Sequence, residues 1–235
     1  MKRLIETEWL DELPADDAGA AGSRRDLQRL NRIMGHAGIL RDLLEAGMRR
    51  RAPRRIVELG TGDGTLMLQL AGHFSRCWPR VEVVLVDRKN AVTDETQAGF
   101  AALGWPVETV TTDIFDWLKK PSDPADVMII NLFLHHFSEE ELARMFRLAA
   151  ARTRLFAACE PRRAVLPLTF SRLVGFIGCN AVTRHDAVLS VRAGFAGREL
   201  SALWPSQPQW RLQERSAGWF SHVFSAELIP LPNNQ

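Results

Sequence analysis

Cysteine, lysine and long apolar runs are all scarce in this sequence. The three cysteines, Cys77, Cys159 and Cys179, lie far apart and outside any CxxC or Cys/His cluster. Neither a disulfide framework nor a zinc motif is supported, and the spacing of residues suggests no metal. The longest apolar stretch, residues 127–134, falls well short of the roughly 18 residues that a membrane span needs. The opening MKRLIETEWLDELPADD begins basic but turns acidic without an apolar stretch, unlike a secretory signal. A cytoplasmic protein without a membrane span is therefore expected. No internal repeat is evident. Of the 30 basic residues only Lys2, Lys89, Lys119 and Lys120 are lysines; the rest are arginine, the better residue for phosphate and carboxylate recognition. The arginine-rich run at residues 48–55 has no interleaved aromatics, and a net charge of +2 argues weakly for a nucleic-acid partner.

What is present suits one globular domain. Of 235 residues, 46% are hydrophobic and 25% charged, which excludes a disordered or fibrous chain. Residues 12–23 read as a loop, with Ser23 as the N-cap of a helix carrying Leu27, Leu30, Ile33 and Met34 on one face. A second helix is expected over about 38–51. From residue 54 the pattern alternates: strands over 55–59, 81–87, 107–111, 125–131 and 154–159, helices over 65–74, 92–103 and 139–151. Short apolar strands separated by helices indicate a parallel sheet with right-handed crossovers. A helical insertion, residues 161–205, precedes two strand-like runs, 210–214 and 219–228, joined by Arg-Ser-Ala-Gly as a hairpin. The expected fold is α/β, a doubly wound, mostly parallel seven-stranded sheet with an antiparallel C-terminal hairpin. Within one domain the chain divides into an N-terminal helical cap (1–52), a Rossmann-like core (53–160), the insertion as an acceptor lid (161–205) and the hairpin (206–235).

The sharpest motif is Glu58-Leu-Gly60-Thr61-Gly62-Asp63-Gly64, directly after the first strand and opening a helix. Glycines there permit a tight turn and let a ligand lie on bare main chain, beyond the carboxyl ends of the strands. The GxGxG spacing departs from the dinucleotide fingerprint, and no GK[ST] follows to cradle a nucleotide phosphate. Glu58 and Asp63 would repel a pyrophosphate but suit an ammonium group. Asp87, ending the second strand, can accept from both hydroxyls of a ribose. Asp113 and Ile114 offer an acid and an apolar face suited to adenine, although Asp113 equally suits a helix N-cap. Asn131 brings a polar group to the same rim.

This pattern resembles the class I S-adenosylmethionine-dependent methyltransferases, over about residues 54–160. The resemblance implies that Glu58, Gly60, Thr61 and Gly62 line the methionine part of S-adenosyl-L-methionine. It further implies that Asp87 binds the ribose, Arg88 flanks the adenine, Asp113 with Ile114 holds the base, and Asn131 completes the edge. Stretches 23–35 and 187–204 are similar to small standalone bacterial enzymes acting on aromatic, polyketide-like or quinone-like molecules. His135 and His136, just past the fourth strand, are the candidate general bases for methyl transfer. Asn180, Arg184 and His185 form a second polar cluster that could orient an acceptor. Phe170, Phe176, Ile177, Phe195, Trp204 and Trp219 are candidate walls of an apolar acceptor cavity. The expected partners are a small-molecule acceptor and a second copy in a homodimer.

Nucleobase methylation is disfavoured: Asn131 is followed by Leu-Phe-Leu rather than a PP[YFW] sequence, and no Pro-Cys nucleophile occurs. Three alternatives stay open. They are an S-adenosylmethionine-binding regulator or assembly factor without catalysis, an RNA methyltransferase, and a nicotinamide oxidoreductase.

Overall fold

A computed structural model describes residues 1–14, 17–48, 51–121 and 123–229. In chain order its elements are α1 (Trp9–Glu12), α2 (Ala18–Met34), α3 (His36–Met48), β1 (Arg55–Leu59), α4 (Thr65–Phe74) and β2 (Glu82–Asp87). There follow α5 (Asp94–Ala102), β3 (Val107–Thr111), α6 (Ile114–Lys119), β4 (Ala125–Asn131), α7 (Glu139–Ala150) and β5 (Thr153–Pro161). The chain continues through α8 (Val165–Leu173), α9 (Ala181–Ala193) and α10 (Glu199–Leu203) into β6 (Trp210–Ala217) and β7 (Ser221–Leu228).

The seven strands form one sheet in the order β3-β2-β1-β4-β5-β7-β6. The first five are parallel, and the hairpin adds β7 antiparallel to β5. The sheet is the expected doubly wound architecture with its antiparallel edge. Val57, Leu59, Met128 and Ile130 face a core shared with α6 and α7, while Ile56, Val83, Val127 and Ile129 face the core under α3 and α4. This alternation is the period of two that a strand buried on both faces requires. Strand order reverses between β1 and β4, which opens a crevice at their carboxyl ends.

The N-terminal region departs from the sequence expectation. The loop at residues 12–23 is shorter than expected, because α2 begins at Ala18 with Asp17 as its cap, accepting from the Ala20 N–H. Ser23 is not an N-cap. It is buried within α2, where its Oγ accepts from Thr183 Oγ1 at 3.0 Å. Glycine inside a helix costs stability, but Gly22 has a packing reason: a Cβ there would lie 2.7 Å from Asn180 Nδ2. Of the arginine run, Arg49 and Arg50 lie outside the described residues. Before α1 the chain runs extended over the carboxyl edge of the sheet as a strap. Arg3 anchors it, donating to the carbonyls of Ala193 at 2.8 Å and Phe137 at 2.9 Å. Lys89 Nζ holds the following α1, donating to the carbonyls of Leu10 at 3.0 Å and of Asp11 and Leu13 at 2.9 Å.

Candidate functional site

The turn after β1 is built from three left-handed glycines, Gly60, Gly62 and Gly64, at φ of 72°, 56° and 73°. Only glycine adopts that region without strain. Gly60 N–H donates to Val86 O at 2.8 Å, which pins the turn to the end of β2. A Cβ on Gly60 would meet the Phe133 ring at 2.4 Å, whereas one on Gly62 would meet nothing within 4 Å. Open space over bare main chain is where a ligand can lie.

Asp87 Oδ2 accepts from the Gly62 N–H at 2.9 Å, and its Oδ1 accepts from the Lys89 N–H at 2.9 Å. The carboxylate is thereby fixed beside the glycine turn, with lone pairs left for further donors. Glu58 is 2% exposed and accepts from Thr61 Oγ1 at 2.7 Å. Burial is the main reason its carboxyl is pushed up to about 8; the neighbouring charges of Asp63 and Asp87 add to this, and the Thr61 hydrogen bond opposes it. Asp63 is otherwise engaged, accepting from Gln28 Nε2 at 2.6 Å and from Thr65 at the start of α4.

Glu58, Gly60, Thr61, Gly62, Asp87 and Arg88 line one cavity of about 280 Å³, and Asn131 reaches it with a buried Oδ1 that has no protein partner. Asp113 and Ile114 line an adjoining hollow together with Arg88, Phe133 and His136. Asp113 is also the N-cap of α6, accepting from the Phe115 N–H at 2.8 Å. The structure thus shows the N-cap reading of Asp113, at a position that also borders the hollow. A glycine cradle open to ligand and a carboxylate at the end of β2 place the polar end of the cavity at the carboxyl edge of the sheet, where such folds bind ligands.

The far half of the cavity is apolar, walled by Leu27, Leu30, Met34, Phe170, Val174 and Phe220. Of the aromatic residues expected there, Phe170 is present. Phe195 and Trp204 are instead in the core against the sheet. Phe176, Ile177 and Trp219 point outward, at 89%, 44% and 70% exposure. Within the insertion, α8 and α9 therefore cover the cavity, while α10 packs on the sheet.

Between the two halves stands His135. Residues 134–136 form a short 3-10 turn directly after Leu132, the only non-glycine with positive φ among the described residues, at 51°. Backbone strain of this kind is tolerated where surrounding contacts hold it, and Glu160 supplies them. Its Oε1 accepts from the N–H groups of Phe133 and Leu134, both at 2.9 Å, and its Oε2 pairs with His135 Nδ1 at 2.7 Å. On the other side His135 Nε2 faces Glu8 Oε1 of the strap at 3.4 Å. Burial works against the imidazolium, but the Glu160 and Glu8 carboxylates outweigh it and raise His135 to about 9. His136, half-buried beside it, is held below its ordinary value by desolvation and by the His135 charge.

Neither Asn180, Arg184 nor His185 lines the cavity. Asn180 caps α9, accepting from the Thr183 N–H at 2.8 Å and donating to Gly19 O at 2.9 Å. Arg184 lies along Gly175. His185 stacks on Trp9 with centroids 3.9 Å apart and pairs with Asp186, which accepts from the Trp9 and Leu10 N–H groups. This cluster ties the strap to α9, and the α9 residues that do face the cavity are Ala187, Ser190 and Val191.

Residues 56–154 match a protein-family model described as a methyltransferase domain. The expected resemblance to the class I S-adenosylmethionine-dependent methyltransferases is supported over this span. The fold is similar to that of the plantazolicin methyltransferase BamL, solved with a triazolic desmethylPZN analog and SAH. That likeness has a TM-score of 0.64 at 13% identity and covers 91% of this chain and 92% of that one. An O-methyltransferase family protein from Burkholderia thailandensis is similar with a TM-score of 0.60 at 16% identity, over 92% of this chain and 61% of that one. The chain thus spans about three fifths of the length of such O-methyltransferase chains. No curated protein sequence matches it. Among the described residues, no helix is long and apolar enough to cross a membrane.

The two turn glycines Gly60 and Gly62 should respond differently to alanine. Gly60→Ala combines left-handed strain with a clash on Phe133 and is expected to destabilise by about 2–4 kcal/mol. Gly62→Ala adds strain alone, about 1 kcal/mol, but places its methyl where ligand would lie. Thermal melts beside calorimetric titrations check this. Equal melting losses in the two variants would remove the ring contact from the argument.

Proposed function

We propose that this chain binds S-adenosyl-L-methionine and transfers its methyl group to a small apolar or aromatic acceptor held under α2, α8 and α9. The observation that carries the reading is one cavity whose polar end holds Glu58, Asp87 and the glycine turn and whose other end is apolar. When bound, the cofactor supplies an activated methyl group on a sulfonium sulfur. In this reading Glu58 accepts from the amino group of the ligand and Asp87 from the ribose hydroxyls. Asp113 and Ile114 hold the base beside Arg88, and Thr61 and Asn131 complete the cradle. Leu27, Leu30, Met34 and Phe170 exclude water and orient the acceptor, and alignment of this kind supplies much of the acceleration in a displacement reaction. His135 and His136 stand where the two halves meet and are the residues proposed to face the reacting atom of the acceptor.

An acceptor screen tests the proposal. Turnover is expected with hydroxylated aromatic or fused-ring compounds, and turnover only with charged, non-aromatic compounds would overturn it. With the best acceptor, His135→Ala is expected to lower kcat tenfold or more while leaving cofactor affinity within a factor of about three. Equal losses in both would move His135 out of the reacting region.

A further inference from the structure

We propose that Glu8, His135 and His136 form a binding site for a divalent cation of the zinc, cobalt or nickel class. The site would lie in the wall of the cavity, and the proposal does not rest on methyl transfer taking place. Each of the three residues offers one ligand atom, and these atoms lie within 4.8 Å of one another. Two imidazoles and a carboxylate are a donor set that these borderline cations favour.

The arrangement around His135 supports a metal beyond simple proximity. Its Nδ1 is held at 2.7 Å by Glu160, which is fully buried and accepts two backbone N–H groups besides. Histidines that bind metals characteristically pass their other ring nitrogen to such a carboxylate, which fixes the ring and raises its basicity. His135 is itself 2% exposed, and its Nε2 has no hydrogen-bond partner. The 3.4 Å gap from Nε2 to Glu8 Oε1 is long for a charge-assisted hydrogen bond. It matches the roughly 3–3.5 Å edge between neighbouring ligands that are each about 2.0–2.2 Å from one metal ion. His136 completes the set from the same turn, with Asp11 Oδ2 3.4 Å from its Nδ1.

With three protein ligands, further coordination positions stay open toward the cavity, as in sites that bind a small molecule at the metal. Because Glu8 comes from the strap and the histidines from the end of β4, the ion would also staple the strap to the sheet edge.

The experiment is calorimetric titration of the chelator-treated, full-length protein with zinc(II) and with cobalt(II), the latter also followed by visible absorption. Saturable binding of one ion per chain is expected, with cobalt bands typical of nitrogen and oxygen ligands. Affinity should fall at least tenfold in Glu8→Gln and in His136→Ala and stay unchanged in His73→Ala. Hydrogen exchange across residues 4–13 should slow on binding. Circular dichroism and thermal melts establish that each variant is folded. Absence of saturable binding in the wild type would overturn the proposal. So would binding that survives both Glu8→Gln and His136→Ala.

Discussion

Asp87→Ala is expected to weaken S-adenosylhomocysteine binding by several hundredfold while leaving the fold intact. Asp87 sits at the end of β2 with one oxygen on the Gly62 N–H and the other on the Lys89 N–H. A carboxylate so fixed needs no reorganisation to receive two ribose hydroxyls. Each hydrogen bond to a charged acceptor contributes roughly 1.5–3 kcal/mol, so losing two costs about 3–4 kcal/mol after partial replacement by water. Asp87→Asn keeps an acceptor oxygen and should lose less. Calorimetry on both variants, with thermal melts alongside, separates lost binding from lost folding. An alanine variant that binds within a factor of about three of wild type would remove Asp87 from the cofactor site.

Glu58→Gln should move stability and affinity in opposite directions. In the folded protein the Glu58 carboxyl is raised by burial to about 8, against an ordinary value of 4.5. Across that window folding takes up a proton, so stability contributed at this site falls as pH rises and levels off above about 8. The amide escapes this penalty, and the ligand-free variant is expected to gain on the order of 2 kcal/mol near pH 8. Binding of a ligand that carries an ammonium group favours the ionised carboxylate. In the wild type, therefore, binding near neutral pH should release a proton, and affinity should rise with pH until about 8. The glutamine variant should bind tenfold or more weakly and lose that pH dependence. Titrations in two buffers of different ionisation enthalpy read the released proton directly. A variant with a lower melting temperature and unchanged affinity would assign Glu58 to folding alone.

The sheet was legible because its strands are short apolar runs bounded by turn residues. The bounds of β1, β3 and β4 and of α4 are those expected from the pattern alone. The start of α7 at Glu139 was likewise as expected, and Ser138 caps it in a capping box with Glu141. The start of α2 was hidden because Ala-Gly-Ala-Ala-Gly has the composition of a loop. Its helical state depends on the Asp17 cap and on the close approach of Asn180 to Gly22, a contact that no local pattern carries.

The site divides the same way. The polar residues read from the sequence at strand ends come together around the glycine turn, since a parallel sheet delivers every such end to one edge. The apolar walls did not follow from residue type. Phe176 and Trp219 are as apolar as Phe170, and only packing decides which of them faces inward. Glu8 gave no signal at all. It lies on an extended strap with no periodicity, and its place opposite His135 is set by the long-range hydrogen bonds of Arg3 and Lys89. A buried carboxylate at the end of β5 was the clue that could have been pursued: Glu160 follows an apolar run and must find donors to be buried there.

The central claim is that the glycine turn, Glu58 and Asp87 hold an adenosyl ligand with an amino-acid tail. Calorimetric titration of the purified protein with S-adenosylmethionine and S-adenosylhomocysteine, with NAD as a control, tests it most directly. Saturable binding of both sulfur ligands at one site per chain, with no heat from NAD, is the expected result. Binding of NAD with neither sulfur ligand would contradict the account.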